Sequence, residues 1–202
     1  MNSKIFKTLL SGCVLAVAPC AWASTSYVFN SPTGALGHSQ TYTSNGITIT
    51  AYGFANGGGS LDLFGKNDAG DEKGLGLNGT SDNEILTTDF VQLDLTNLLA
   101  THPGTITMSI NSVQTGEGWN IYESKTLATL GTLLQSGTTE TPFTLNPLLS
   151  GYDFVSVQAS AFNVLLGTLA TQGSSVPEPG TAAILGVGLL ALGSIARRVR
   201  RG

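Results

Sequence analysis

Carboxylate side chains are concentrated in one part of this chain, where they could bind a cation. Eight of the twelve acidic residues between Ser24 and Val176 fall in residues 62–94. The segment 67–72 (Asn-Asp-Ala-Gly-Asp-Glu) is rich in oxygen ligands and bent by a glycine, as calcium loops are, although its spacing is not that of an EF-hand. Two interpretations stay open, a solvated acidic loop and a structural calcium site. The ligands of such a site would come from Asp68, Asp71, Glu72, Asp82 and Glu84.

An aromatic pair suggests a second kind of site. Trp119 and Tyr122 lie in the sequence Gly-Trp-Asn-Ile-Tyr. The face of an aromatic ring offers apolar contact to a sugar ring, and tryptophan is well suited to it. A tryptophan on a strand also commonly belongs to the core. Trp119 is therefore either a glycan contact or a core residue.

Signatures of enzyme chemistry are scarce. His38 and His102 are the only histidines. The sequence contains no nucleophile elbow, no metal-binding histidine spacing and no phosphate-binding glycine loop. A glycosidase needs only two carboxylates about 5 to 9.5 Å apart, which a sequence alone does not exclude. We expect no enzymatic activity and no cofactor other than the calcium considered above, and we keep a polysaccharide-acting enzyme as the less favoured alternative.

The first 23 residues have the composition of a secretory signal peptide. Lys4 and Lys7 provide a positive start, and residues 9–18 form an apolar stretch. Ala21 and Ala23 then supply the small residues that signal peptidase recognises, which predicts cleavage after Ala23.

Both cysteines fall in this segment. The sequence Leu-Ser-Gly-Cys ending at Cys13 also fits a lipoprotein box, but cleavage there would leave a short signal interrupted by Lys7. With cleavage after Ala23, Cys13 and Cys20 are removed, and the mature protein has neither disulfides nor thiol chemistry. Such a body depends on its hydrophobic core, and about 150 residues are enough to build one.

The body is strongly acidic. Twelve acidic residues against three lysines between Ser24 and Val176 give a net charge of −9. This charge repels phosphate groups, so nucleic acid and anionic lipid are poor partners for the body.

The pattern of the body predicts an all-β fold. Apolar and polar residues alternate with the period of two expected of half-buried strands. The clearest cases are residues 47–51, 91–95, 106–110 and 155–159; further strands are predicted at 26–29, 60–64, 119–123, 126–134, 143–145 and 163–169. Turn-forming clusters separate them, and residues 97–100 predict one helical turn. We therefore expect an antiparallel, jelly-roll-like β-sandwich over residues 24–170, followed by a linker at 171–175.

The tail combines an extended segment, an apolar helix and a basic end. Pro177 and Pro179 favour an extended backbone over residues 176–180. Residues 181–196 carry no charge and as a helix span about 24 Å, which predicts a marginal transmembrane helix. Four arginines follow, and we expect them to act as a cytoplasmic stop: Arg197, Arg198, Arg200 and Arg201.

This three-part tail resembles the PEP-CTERM sorting signal. The residues that carry the resemblance are Val176, Pro177, Glu178, Pro179 and Gly180, then the apolar helix and the arginines, together residues 176–202. The resemblance implies recognition by an exosortase, export, transient anchoring in the inner membrane with the body in the periplasm, and final delivery to the cell surface or extracellular matrix of a bacterium that makes exopolysaccharide. Binding of that exopolysaccharide by the body, or adhesion, is an alternative role. The alternative to processing is a single-pass anchor that is never cut.

A second resemblance concerns the body. The sequence Gly-Leu-Gly-Leu at 74–77, Asp-Asn-Glu-Ile at 82–85 and the strand at 90–95 are similar to β-sandwich domains found upstream of PEP-CTERM tails. This resemblance implies the fold and no particular ligand.

Overall fold

The structure is a computed structural model, which describes residues 24–80, 82–101, 105–145 and 151–172. Within these residues the chain forms fifteen strands and one short helix. In chain order they are β1 (Thr25–Val28), β2 (Gly34–Gly37), β3 (Ser39–Ser44), β4 (Ile47–Ala55), β5 (Ser60–Leu61), β6 (Leu63–Asn67), β7 (Lys73–Leu77), β8 (Ile85–Leu86), β9 (Asp89–Asp94), α1 (Thr96–Thr101), β10 (Thr105–Asn111), β11 (Gly118–Ser124), β12 (Thr132–Gly137), β13 (Phe143–Thr144), β14 (Phe154–Ala161) and β15 (Asn163–Gln172).

The strands form two antiparallel sheets. The first sheet has the order β13-β10-β15-β7-β6-β2, with β1 and β8 also paired to β15. The second sheet has the order β12-β11-β14-β9-β4-β3, with β5 paired to β4. The all-β prediction is confirmed at this level, and the jelly-roll connectivity stays a prediction.

Alternation along the strands directs one set of side chains into a shared core. On β10, Ile106, Met108 and Ile110 are buried, whereas Thr105 is exposed and Thr107 half-buried. Because successive side chains point to opposite faces, the apolar set of each strand reaches the same side of its sheet. The core cluster draws from both sheets, including Leu75, Leu166 and Leu169 from the first and Ile49, Val91, Leu93 and Val157 from the second.

The predicted helical turn is confirmed by α1, and its start has a local cause. The Asp94 carboxylate accepts hydrogen bonds from the backbone N–H of Thr96 at 3.0 Å and from its hydroxyl at 2.6 Å. A carboxylate in this position satisfies an N–H that lacks a partner within the helix.

Three predicted boundaries are wrong. The run 60–64 is not one strand, since β5 and β6 belong to different sheets and Asp62 lies between them. The sandwich continues to Gln172, two residues into the predicted linker, because Thr171 and Gln172 still pair with β10. The run 126–134 forms a strand only from Thr132 onwards.

The segment that precedes β12 is held away from a strand conformation by a buried glutamine. Gln92 is fully buried on β9 and donates to the carbonyl of Thr129 at 2.9 Å, while the N–H of Ala128 donates to its Oε1 at 2.8 Å. Ala128 has φ 62° and Gly131 φ 86°, which are not strand conformations. Two hydrogen bonds to one side chain therefore override the apolar pattern of the segment.

Close backbone contact at Gly65 gives a test of the packing. A Cβ at this position would lie 1.9 Å from the carbonyl oxygen of Pro32. We expect Gly65→Ala to lower the free energy of unfolding by about 1–3 kcal/mol, because one of the two backbone segments must move. Urea unfolding followed by Trp119 fluorescence measures this loss. At Gly59 a Cβ would only reach 3.9 Å from Ala55, so Gly59→Ala is the matched control, and an equal effect of both variants would contradict the packing argument.

Candidate functional site

Three charged side chains meet below the surface where β6, β7 and β8 come together. Lys66 lies on β6, Glu72 immediately before β7 and Glu84 immediately before β8. The Lys66 ammonium donates to Glu72 Oε2 and, at 2.6 Å, to Glu84 Oε1. The hydroxyl of Ser112, which follows β10, lies 2.9 Å from Glu72 Oε1 and 3.2 Å from Glu84 Oε2. These four residues, Lys66, Glu72, Glu84 and Ser112, are called the charge cluster below.

Burial separates the acidities of the two carboxyl groups. The Glu84 side chain is 2% exposed and that of Glu72 29%. Burial, followed by the neighbouring Glu72 carboxylate, raises the pKa of Glu84 to about 7. Hydrogen bonds with Glu84 and then with Lys66 lower the pKa of Glu72 to about 2. Below about pH 7 Glu84 therefore holds a proton that it shares with Glu72, and Lys66 balances the one remaining negative charge.

The structure does not support the predicted calcium site. Asp68, Asp71 and Asp82 are exposed, and Asp82 accepts a hydrogen bond from Asn163 at 3.4 Å. Of the five predicted ligands only Glu72 and Glu84 converge, and an ammonium lies between them. In the part of the chain that the structure describes, no group of three or more His, Cys, Asp or Glu residues is arranged to hold a metal ion. The structure therefore does not assemble these five residues into one site, because a lysine lies between the two that converge, and calcium binding stays a prediction.

Sequence reasoning did not identify the other two members of the charge cluster. Lys66 is one of only three lysines in the body, and it sits on a strand at a half-buried position. A lysine in an apolar strand pattern, within a segment of eight acidic residues and only two lysines, was the available signal for an ion pair. Ser112 gave no signal, because its contact with Glu72 spans 40 residues of sequence.

Trp119 is a core residue. Its side chain is 3% exposed, its ring stacks on Phe143 at 4.4 Å between centroids, and its Nε1–H donates to the Thr139 carbonyl at 2.9 Å. On the strand, Trp119 is paired with Gly137, where a Cβ would lie 2.2 Å from the indole ring. No ring face is left to stack on a sugar, so the glycan contact proposed for Trp119 is wrong and the core interpretation holds.

Comparison with known proteins assigns the tail. Residues 175–201 match the family model of the PEP-CTERM protein-sorting motif. This chain carries a PEP-CTERM sorting motif. The match covers 27 of 202 residues, so it characterises the tail and leaves the body unassigned. Neither the curated proteins nor the solved structures include a match to the chain.

The sorting motif and the other terminal predictions lie outside the described residues. This applies to the peptidase site at Ala21 and Ala23, to residues 176–180 and to the four arginines. It applies equally to the predicted membrane helix at 181–196, and none of the described helices is long and apolar enough to cross a membrane. The PEP-CTERM match supports the identity of the tail independently of these structural details.

Glu84→Gln should remove one component of the pH dependence of stability. The folded pKa of Glu84, about 7, exceeds the value of about 4.3 for a free glutamate, so the folded state binds more protons in this window. The stabilising contribution of Glu84 to the free energy of unfolding is thus complete below about pH 4.3 and is lost as the pH rises to about 7. A glutamine keeps a hydrogen-bond donor for Glu72 but does not titrate. The wild type should therefore lose about 1–3 kcal/mol of unfolding free energy between about pH 4.3 and 7, and the variant should not. Urea unfolding at a series of pH values measures it, and an unchanged slope in the variant would refute the assignment.

Trp119→Ala should destabilise the protein by about 3–5 kcal/mol, because it leaves a large cavity in the core. Phe162 is 69% exposed, so Phe162→Ala is a matched aromatic control with an expected change within about 0.5 kcal/mol. Thermal unfolding followed by far-ultraviolet circular dichroism compares the two. Equal stability of wild type and Trp119→Ala would contradict the core assignment.

Proposed function

We propose that this chain is an exported surface or extracellular-matrix protein, sorted by an exosortase through its PEP-CTERM motif, and that its body acts without catalysis. The observation that carries this proposal is the match of residues 175–201 to the sorting motif. The order of signals in the sequence supports it: an export signal, an acidic body, a Pro-Glu-Pro element, an apolar stretch and four arginines.

The proposed route uses each terminal segment once. Signal peptidase cleaves after Ala23, and the body crosses the inner membrane. Residues 181–196 then stop in the bilayer, because an arginine at its centre costs about 2.5–3.5 kcal/mol and the basic end stays in the cytoplasm. Exosortase acts between Val176 and Gly180, where the two prolines keep an extended peptide accessible outside the bilayer.

Strand pairing in the body suits this route. β1 and β15 pair antiparallel with Thr25 opposite Thr171, and the N–H of Thr25 donates to the Thr171 hydroxyl at 3.1 Å. The start of the body and its last strand are therefore hydrogen-bonded neighbours. The chain leading from the signal peptide and the chain leading to the motif join the sandwich at the same end, so one end of the body serves both processing steps.

The described chemistry favours a role without catalysis. The carboxylate pair Glu72 and Glu84 is occupied by Lys66, and Glu84 is too deeply buried to reach a substrate. His38 packs edge-on against Phe54 and donates from Nδ1 to the Leu61 carbonyl at 3.2 Å when that nitrogen is protonated. The exopolysaccharide-binding alternative has lost Trp119, the residue on which it was based.

Replacing Pro177 and Pro179 together with alanine should abolish removal of the tail. The extended segment would gain access to helical conformations, and the recognition element would be lost. Mass spectrometry of the protein from exporting cells measures its C-terminus: we expect a processed form for the wild type and the intact sequence through Gly202 for the variant.

Pro142→Ala is the matched control, because Pro142 lies exposed in a loop of the body. It should be processed like the wild type. An intact C-terminus in the wild type, in cells with an active exosortase, would leave only a static anchor. Processing of the double variant at the wild-type level would show that the Pro-Glu-Pro element is not what the enzyme recognises.

A further inference from the structure

Strand β3 differs from the other strand edges of the described residues. Strands β5, β8 and β13 have two residues each, β1 has four, and β2 and β12 contain register shifts. Short strands and bulges of this kind prevent pairing with another chain. β3 has six residues and pairs with β4 in unbroken register, from Ser39 opposite Tyr52 to Ser44 opposite Ile47. A regular edge of this length is a template for another strand.

The turn after β3 determines which backbone groups face outwards. Asn45 and Gly46 both have positive φ, 49° and 77°, as in the two-residue turns that favour hairpins. In such a hairpin the flanking residues Ser44 and Ile47 form the first hydrogen-bonded pair. Antiparallel strands then alternate between residues bonded to the partner strand and residues whose N–H and C=O point away.

Three residues of β3 therefore direct their backbone N–H and C=O away from β4: Ser39, Thr41 and Thr43. All three are exposed. The side chain of Gln40 donates to the Thr41 carbonyl at 2.9 Å, which fits a carbonyl that points away from β4. The Ser44 end is covered by β1, where the N–H of Ser26 donates to the Ser44 hydroxyl at 3.3 Å.

Strand β3 and its neighbours along the chain lack the charges that usually protect an edge. From Ser24 to Leu61 the sequence contains no Asp, Glu, Lys or Arg. The net charge of −9 is carried by later parts of the body. Two copies that approach through β3 therefore avoid close contact between like charges, whereas approach through the acidic segment 62–94 would be repulsive.

We propose that β3 pairs with β3 of a second copy of this chain, antiparallel about a two-fold axis at Thr41. Each Thr41 then lies opposite the Thr41 of the other copy, and each Thr43 opposite a Ser39. The three outward residues form about six backbone hydrogen bonds, after the Gln40 side chain has moved aside. Hydroxyl side chains meet across the new pair, as Thr43 and Thr48 already do in the hairpin at 3.2 Å.

A single cysteine tests this geometry. Residues 24–202 contain no cysteine, so Thr41→Cys gives the processed protein one thiol. Directly opposed, hydrogen-bonded residues have Cα atoms about 5.5 Å apart, within the range of a disulfide. We expect protein purified after export to be a dimer by light scattering at high protein concentration and to dissociate on dilution, and the variant to form a disulfide-linked dimer under mild oxidation.

Thr132 provides the matched control. It is an exposed threonine at the start of β12, the bulged edge strand on the opposite side of the same sheet. Thr132→Cys should not cross-link. Thr41→Lys should give a monomer, because it brings two ammonium groups together at the axis, and Thr132→Lys should stay a dimer. Circular dichroism verifies that each variant is folded.

Two results would overturn the proposal. The first is a wild-type protein that is monomeric at the highest concentration that stays soluble. The second is a dimer that survives Thr41→Lys while Thr41→Cys fails to cross-link, since that dimer would use another surface. Both results are independent of tail processing, so failure of the pairing and failure of exosortase sorting are distinguishable.

Discussion

Strand β15 is the element on which the rest of the body depends most. It pairs with β10 along one edge and with β1 and β7 along the other, and its first residues pair with β8. Its apolar side chains Val164, Leu166 and Leu169 are fully buried between the sheets. Because Thr171 is opposite both Thr25 and Ile106, the strand is still bonded on both edges where it leads towards the sorting motif. The end of the body that leads to the motif is therefore held by neighbouring strands on both sides.

Charge is divided between segments that serve different purposes. The acidic residues of 62–94 give the body the net charge that favours solubility. Two of them belong to the charge cluster, Glu84 buried and Glu72 half-buried. There Lys66 joins the segments before β7 and β8, and Ser112 adds the segment after β10. With both cysteines in the predicted signal peptide, no disulfide can close these segments, so an ion pair takes that place. We expect the cluster to contribute more to specificity of loop placement than to net stability, since desolvation offsets much of its attraction.

Prediction succeeded where a local pattern had a single explanation. Ile106, Met108 and Ile110 alternate with polar residues, and only a strand buries all three. The polar strand β3 was missed because Tyr42 is its only fully buried side chain, although the Asn45-Gly46 turn that follows it is a hairpin signal. The site was predicted least well. Five carboxylates suggested a metal, but the distribution of charge depends on contacts such as Lys66 to Glu84 and Ser112 to Glu72, which the fold creates between segments far apart in sequence.

The proposed sorting would favour the proposed strand pairing, because it raises the local concentration of the protein. An edge contact of six residues buries little apolar surface, and strand pairing alone gives weak association in water. Retention at a membrane or in a matrix raises the local concentration of copies, which favours a weak contact by mass action without any new interaction. In dilute solution the same contact pairs a smaller fraction of the copies, and the net charge of the body opposes non-specific association. If both proposals hold, an uncharged edge on an acidic, sorted body keeps the protein dispersed at low concentration and lets it associate where it accumulates.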